Sequence, residues 1–297
     1  MNGQLFALGR NPLARYKGLL RRARWYANGR GMTSVCLRAM TLILILIGAY
    51  SATPKTAAAA VTNIPLGCAA SETGGNIVIS LANDVPEGAT IVVAVQVIAR
   101  NEDLTAIVDP AGNSYTRQVK HLGLEVGTGV KENYTLHVYT AADAKALKKG
   151  QTITVQWSYA NQLEACAVAI NGVIRTPVDQ RAENHAEIQA ESAALDSRNT
   201  PNTTTPNQVL VGAFGWFCVD LEKRVICDAT STPGAGYTEV LEGQDVMLQT
   251  RTVTAAGAYN ATATLNKTAA SSAYKATFDW MAAIITLKVD NTPPVIA

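Results

Sequence analysis

A period of two runs through this chain. In Thr152-Ile153-Thr154-Val155-Gln156-Trp157-Ser158-Tyr159 every second residue is apolar. Successive strand side chains point to opposite faces, so such a run packs Ile153, Val155, Trp157 and Tyr159 on one side and wets the other. Tyr134, Leu136 and Val138 alternate likewise with Thr135, His137 and Tyr139. So do Tyr259, Ala261, Ala263 and Leu265 with Asn260, Thr262 and Thr264. Four other stretches, 90–98, 165–173, 209–217 and 280–289, are almost continuously apolar and suit central strands covered on both faces. Turn residues separate the runs: Val85-Pro86-Glu87-Gly88, Asp109-Pro110-Ala111-Gly112-Asn113, Lys149-Gly150, Asn171-Gly172 and Pro233-Gly234. The pattern predicts an all-β fold: an antiparallel β-sandwich, jelly-roll-like or Ig-like, of about ten to twelve strands.

Two stretches depart from it. Residues 141–148 are Ala-rich and predict a short helical turn, and residues 181–196 predict a helix or an ordered crossover. The Thr, Asn and Pro of residues 199–206 make a loop and divide the chain into halves. The halves are loosely alike, since Asp109-Pro-Ala-Gly-Asn-Ser-Tyr115-Thr is matched by Thr232-Pro-Gly-Ala-Gly-Tyr237-Thr-Glu. We expect this repetition within a single sandwich domain over residues 61–290, with opposed apolar faces of the two halves forming one core.

The first 60 residues stand apart. They hold nine basic residues, the last being Lys55, and no acidic residue occurs before Glu72. Arg38 precedes the apolar run Leu42-Ile43-Leu44-Ile45-Leu46-Ile47, and small residues follow, ending in Ala57-Ala58-Ala59-Ala60. Basic, then apolar, then small is the layout of a signal peptide, with cleavage expected after Ala60 or Ala52. The apolar stretch is short for a membrane span of about 20 residues. The basic flank is long, so translation starts at Met1 or at Met32, and contact with a membrane is expected only through this leader. The expected location is extracellular or at the cell surface. Removing the leader takes nine of the 25 Lys+Arg, so the remainder carries 23 Asp+Glu against 16 basic groups, a net charge of about −7. That sign argues against nucleic acid as a partner.

Cys36 lies in the leader; Cys68, Cys166, Cys218 and Cys227 remain. An even number in an exported chain predicts two disulfides, for which Cys218–Cys227 and Cys68–Cys166 are the favoured pairs, against four buried thiols as the alternative. Leu66-Gly67-Cys68 has only a faint likeness to a lipidation signal, with Pro65 where Leu belongs.

Chemistry is sparse. The sequence has no Gly-x-Ser-x-Gly, His-Glu-x-x-His, Cys-x-x-Cys or phosphate loop, so no catalytic residue, cofactor or metal is assigned. Its three histidines are His121, His137 and His185. His137 reads as a surface residue on a polar strand face. Glu183, His185, Glu187 and Glu191 cluster, which suits a solvated acidic face better than a metal site. Asp220, Glu222 and Asp228 surround the Cys218–Cys227 loop and read as a solvated loop tip rather than a glycosidase pair or a calcium site. Trp216 and Phe217 beside that loop are the candidate ligand contacts, as an aromatic platform for sugar. Asn133, Asn202, Asn260 and Asn266 begin Asn-x-Thr triplets, which matter only in a glycosylating host.

Several segments carry a resemblance: Ile91-Val92-Val93-Ala94-Val95, then Val108-Asp109-Pro-Ala-Gly112-Asn113-Ser-Tyr115, Val138-Tyr139-Thr140-Ala141, Gly150-Gln-Thr-Ile-Thr-Val155, Ile170-Asn-Gly172-Val173, Pro177-Val-Asp179 and Trp280-Met-Ala-Ala-Ile284-Ile-Thr-Leu-Lys288. Over residues 75–289 the chain resembles a widespread group of bacterial extracellular β-sandwich modules of surface and secreted proteins. The tail, residues 291–297, resembles a linker that opens bacterial Ig-like repeats. The resemblance implies architecture, not activity. Three functions are therefore expected in order: a non-enzymatic structural or adhesive protein whose partners are surface glycans or other surface proteins, a carbohydrate-binding module, and a secreted hydrolase.

Overall fold

A computed structural model describes residues 60–292, apart from 74, 100–103, 123–132, 158–159, 191, 221–224, 227–228 and 268–275. The leader and Cys36 lie outside the described residues. All regular structure that is described is strand, in four antiparallel sheets. In the first half, β1 (Thr62–Ser71), β8 (Ala160–Asn171), β3 (Thr90–Ala99), β6 (Asn133–Ala141) and β5 (Thr116–Leu122) make a five-stranded sheet in that order. A three-stranded sheet of β2 (Ile77–Ser80), β7 (Thr152–Gln156) and β4 (Ala106–Val108) covers it. In the second half the large sheet runs β14 (Thr238–Glu242), β15 (Val246–Val253), β11 (Gln208–Asp220), β17 (Ala276–Val289), β9 (Val173–Gln189), with β12 (Val225–Ile226) attached to β11. The small one runs β10 (Ser192–Asp196), β16 (Thr262–Lys267), β13 (Ala229–Pro233).

The two halves have the same topology. Replacing β1, β2, β3, β4, β5, β6, β7 and β8 by β9, β10, β11, β13, β14, β15, β16 and β17 turns each sheet order of the first half into that of the second. The matched turns 109–115 and 233–237 occupy equivalent places, before β5 and before β14. Tyr115 and Tyr237 are each partly buried there; Tyr115 donates its hydroxyl to Asp109 Oδ2 (2.8 Å) and Tyr237 to the Asn260 carbonyl (2.7 Å).

Each half closes its own sandwich, and the two stack through their large sheets. The expected all-β antiparallel sandwich is present; the described residues build it from seventeen strands rather than ten to twelve, as two stacked pairs of sheets. The expected common core is present as a middle layer. Val92, Ala94, Leu136, Val138, Val168 and Ile170 of one large sheet meet Val209, Val211, Ala213, Leu248, Ala283 and Ile285 of the other. The alternate residues of β3, Ile91, Val93, Val95 and Val97, fill the core against the first small sheet. Leu210, Phe214 and Trp216 of β11 do the same for the second. Strands buried on both faces have no polar side to show, hence their unbroken apolar runs. In the stack β1 lies against β14, β3 against β11 and β5 against β9, an aligned face-to-face packing that a two-fold exchange of the halves preserves.

Prolines respect this plan. Pro65 sits in β1, Pro177 in β9 and Pro233 in β13, all at sheet edges, where a missing N–H breaks no ladder. Where a helix or crossover was expected, residues 181–189 finish β9 and 192–196 form β10, and no helical turn occurs at 141–148. His137 is fully buried instead of exposed, edge-on to Trp157 at 5.7 Å, because the polar-looking face of β6 packs under the first small sheet.

Gly172 links the sandwiches. Its φ of 84° places it in the left-handed region, and an added Cβ would stand 3.1 Å from the Ala60 carbonyl oxygen. Asp290 N–H donates to the Gly172 carbonyl (2.9 Å). The chain therefore enters β1, crosses between halves and leaves β17 at one place. By register this end also holds Thr90, Thr116, Ala141, Gln208 and Val253, whereas Ser71, Leu122, Gln189 and Glu242 end their strands at the other.

Candidate functional site

The polar groups of greatest interest lie where the two large sheets meet. In the middle, Gln96 of β3 is buried and reaches β11: its Nε2 donates to the Trp216 carbonyl (2.6 Å), and Trp216 N–H donates to its Oε1 (3.0 Å). Gly215 makes the approach possible, since a Cβ there would lie 2.8 Å from Gln96 Oε1. Nearby, Glu164 of β8 accepts the N–H groups of Gln244 (2.6 Å) and Asp245 (2.7 Å) in the β14–β15 turn. Burial raises its pKa and the two N–H donors oppose the rise. Gly243 is required beside it, as a Cβ would collide with Glu164 Oε1.

One edge of this junction, between β5 and β9, holds the chemistry-bearing side chains. Glu183, His185 and Glu187 are alternate residues of a strand, so they share the face that turns towards β5. His121 Nε2 and His185 Nδ1 are 2.6 Å apart, and His121 Nδ1 lies 3.7 Å from Glu183 Oε1. Arg181 Nη1 donates to the Gln118 carbonyl (2.9 Å) and ties the same two strands. Burial lowers the pKa of His185, helped by the charges of His121 and Arg198. Asp279 of β17 stands opposite Glu187 in register, fully buried, and its carboxylate has no hydrogen-bond partner among the described residues. Burial, with Glu187 beside it, pushes its pKa up to about 7.

Further along the edge is a cleft of about 540 Å³ lined by Gln118, Val178, Asp179, Gln180, Arg181 and Pro201. Its size suits a small ligand. Its carboxylate is committed to the fold, however. Asp179 accepts from Thr204 N–H (2.7 Å), Thr204 Oγ1 (2.6 Å) and Gln208 Nε2 (3.1 Å), with Lys288 Nζ at 3.4 Å. Burial opposes ionisation of Asp179, but the Thr204 hydrogen bonds and the Lys288 charge outweigh it and hold the pKa down.

The residues picked from sequence fare unevenly. Cys68 and Cys166 are joined by a disulfide and face each other in the β1–β8 register. Cys218 is disulfide-bonded too, and its expected partner Cys227 lies outside the described residues. Trp216 is fully buried in the second sandwich, so its ring is not a platform, and Phe217 is half-buried against Tyr134, ring centroids 4.8 Å apart. The large apolar side chains exposed among the described residues are Val78, Val108 and Leu122, none aromatic. Glu191, Glu222 and Asp228 lie outside the described residues, and no group of three metal-ligating side chains is found among the described ones. Sequence reasoning missed Gln96, Glu164 and Asp279. The only signal for them was a polar residue interrupting an apolar run.

No family model, no curated protein and no solved structure matches the chain.

Proposed function

We propose that this protein is a non-enzymatic module of the cell exterior, structural or adhesive, built to hold a binding end away from its point of attachment. The observation that carries the reading is the meeting of chain entrance, crossover and exit at Gly172. A module attached through residues on either side of the double sandwich presents the opposite strand ends outward, whichever side holds it. Three further features support it. A disulfide between the edge strand β1 and β8 suits an oxidising compartment. The basic-apolar-small order of residues 38–60 suits export. The buried carboxylates Asp179 and Glu164 are spent on holding the fold together.

The test is binding by the purified unit, residues 61–292, to intact cells and to panels of surface proteins and glycans, run beside a broad hydrolase screen. Saturable binding that survives removal of the cleft-lining Arg181 side chain, without turnover, is expected. Turnover of any polysaccharide, ester or peptide would overturn the reading. Binding to one free glycan class alone would replace it with carbohydrate recognition.

A further inference from the structure

We propose that the β5–β9 edge is a proton-operated seam: the His121–His185 contact holds the two sandwiches together there at neutral pH and is broken on acidification. Two imidazole nitrogens 2.6 Å apart share one hydrogen, one ring donating and the other accepting. The contact therefore exists with at most one proton more than two neutral rings require. A second added proton leaves two donors face to face and two like charges in contact, and the rings must part. Each ring belongs to a different sandwich, so their parting is a parting of β5 from β9.

The surrounding charges set the direction. From β9, Glu183 Oε1 stands 3.7 Å from His121 Nδ1. Burial, and after it the neighbouring His121 and Arg198 from the loop after β10, oppose protonation of His185. From β17, Asp279 faces Glu187 of β9 within the same sheet, so this pair lies across β17–β9 and not across the β5–β9 edge. From β6, the residues turned this way are Tyr134, Leu136 and Val138, which carry no charge at these pH values. What remains across the edge after the rings part is Arg181 on the Gln118 carbonyl. Towards the other strand ends lies the ring contact of buried Tyr134 with half-buried Phe217, the latter in register with Asp279.

Hydrogen–deuterium exchange of the unit, compared near pH 7.5 and pH 5 after correction for intrinsic exchange and with a chelator present, reads this out. We expect peptides from β5 and from residues 181–189 to gain protection loss of ~10-fold or more over β3 and β11 on acidification. His121→Gln and His185→Gln should each abolish that selective gain, since the surviving ring can take its proton alone. Uniform change across all strands, or a selective gain that persists in both variants, would overturn the proposal. Should either variant fold poorly, imidazole proton resonances of the wild type decide: coupled rings titrate in two steps more than ~1 pH unit apart, whereas independent steps near the ordinary histidine value would refute the seam.

Discussion

Gln96 shows how a single side chain can join two sheets, sharing the Trp216 N–H with the Asp245 carbonyl. Its amide meets both the N–H and the carbonyl of Trp216. Gln96→Ala should cost about 1–3 kcal/mol in urea denaturation, because it leaves the Trp216 carbonyl buried without that donor. Asp279 makes the opposite contribution. Its pKa is raised to about 7 by burial and Glu187. The folded state therefore resists ionisation that the unfolded chain accepts, and stability falls as pH rises from the ordinary carboxylate value towards 7. The loss is on the order of 4 kcal/mol across that window, and Asp279→Asn should flatten the pH dependence of denaturation over it. These residues were hidden in the sequence for one reason. Alternation says which positions share a face, but not that both faces are covered. His137 and Trp216 were misplaced by the same gap: one sat on a face that looked wet, the other beside a loop that looked open.

At the scale of elements, β1 is an edge strand whose described ladder is with β8, and the Cys68–Cys166 disulfide fixes it there across a sequence separation of 98. Replacing both cysteines by serine should lower stability by roughly 2–5 kcal/mol, read as a fall in thermal midpoint that reductant reproduces in the wild type. This pairing was favoured in the sequence because Cys218 and Cys227 flank a short loop, which left Cys68 and Cys166 for each other. The four long apolar runs were legible as central strands, since composition alone distinguishes a strand with no wet face. Residues 181–196 were not. Their Ala and Glu content favours helix in isolation, and only the pairing of Arg181–Gln189 with β17 makes them strand, a tertiary contact overriding propensity.

On the largest scale, the described residues form two halves of one topology that share an interior. The repeated Pro-Gly-Tyr turns hinted at it, and the topology makes it complete. Because the middle layer draws equally on both halves, neither sandwich can unfold without exposing the other's inner face. Calorimetry of the intact unit should therefore show one cooperative transition, with equal calorimetric and van't Hoff enthalpies; two separated transitions would mean the shared layer contributes little. Intact mass analysis of the protein recovered from its native cells asks the most of the account as a whole. The result we predict is a chain found outside the cytoplasm, beginning near residues 53–61, with the Cys68–Cys166 and Cys218–Cys227 bridges formed. A cytoplasmic chain still carrying its first residues, with free thiols at Cys68 and Cys166, would contradict it.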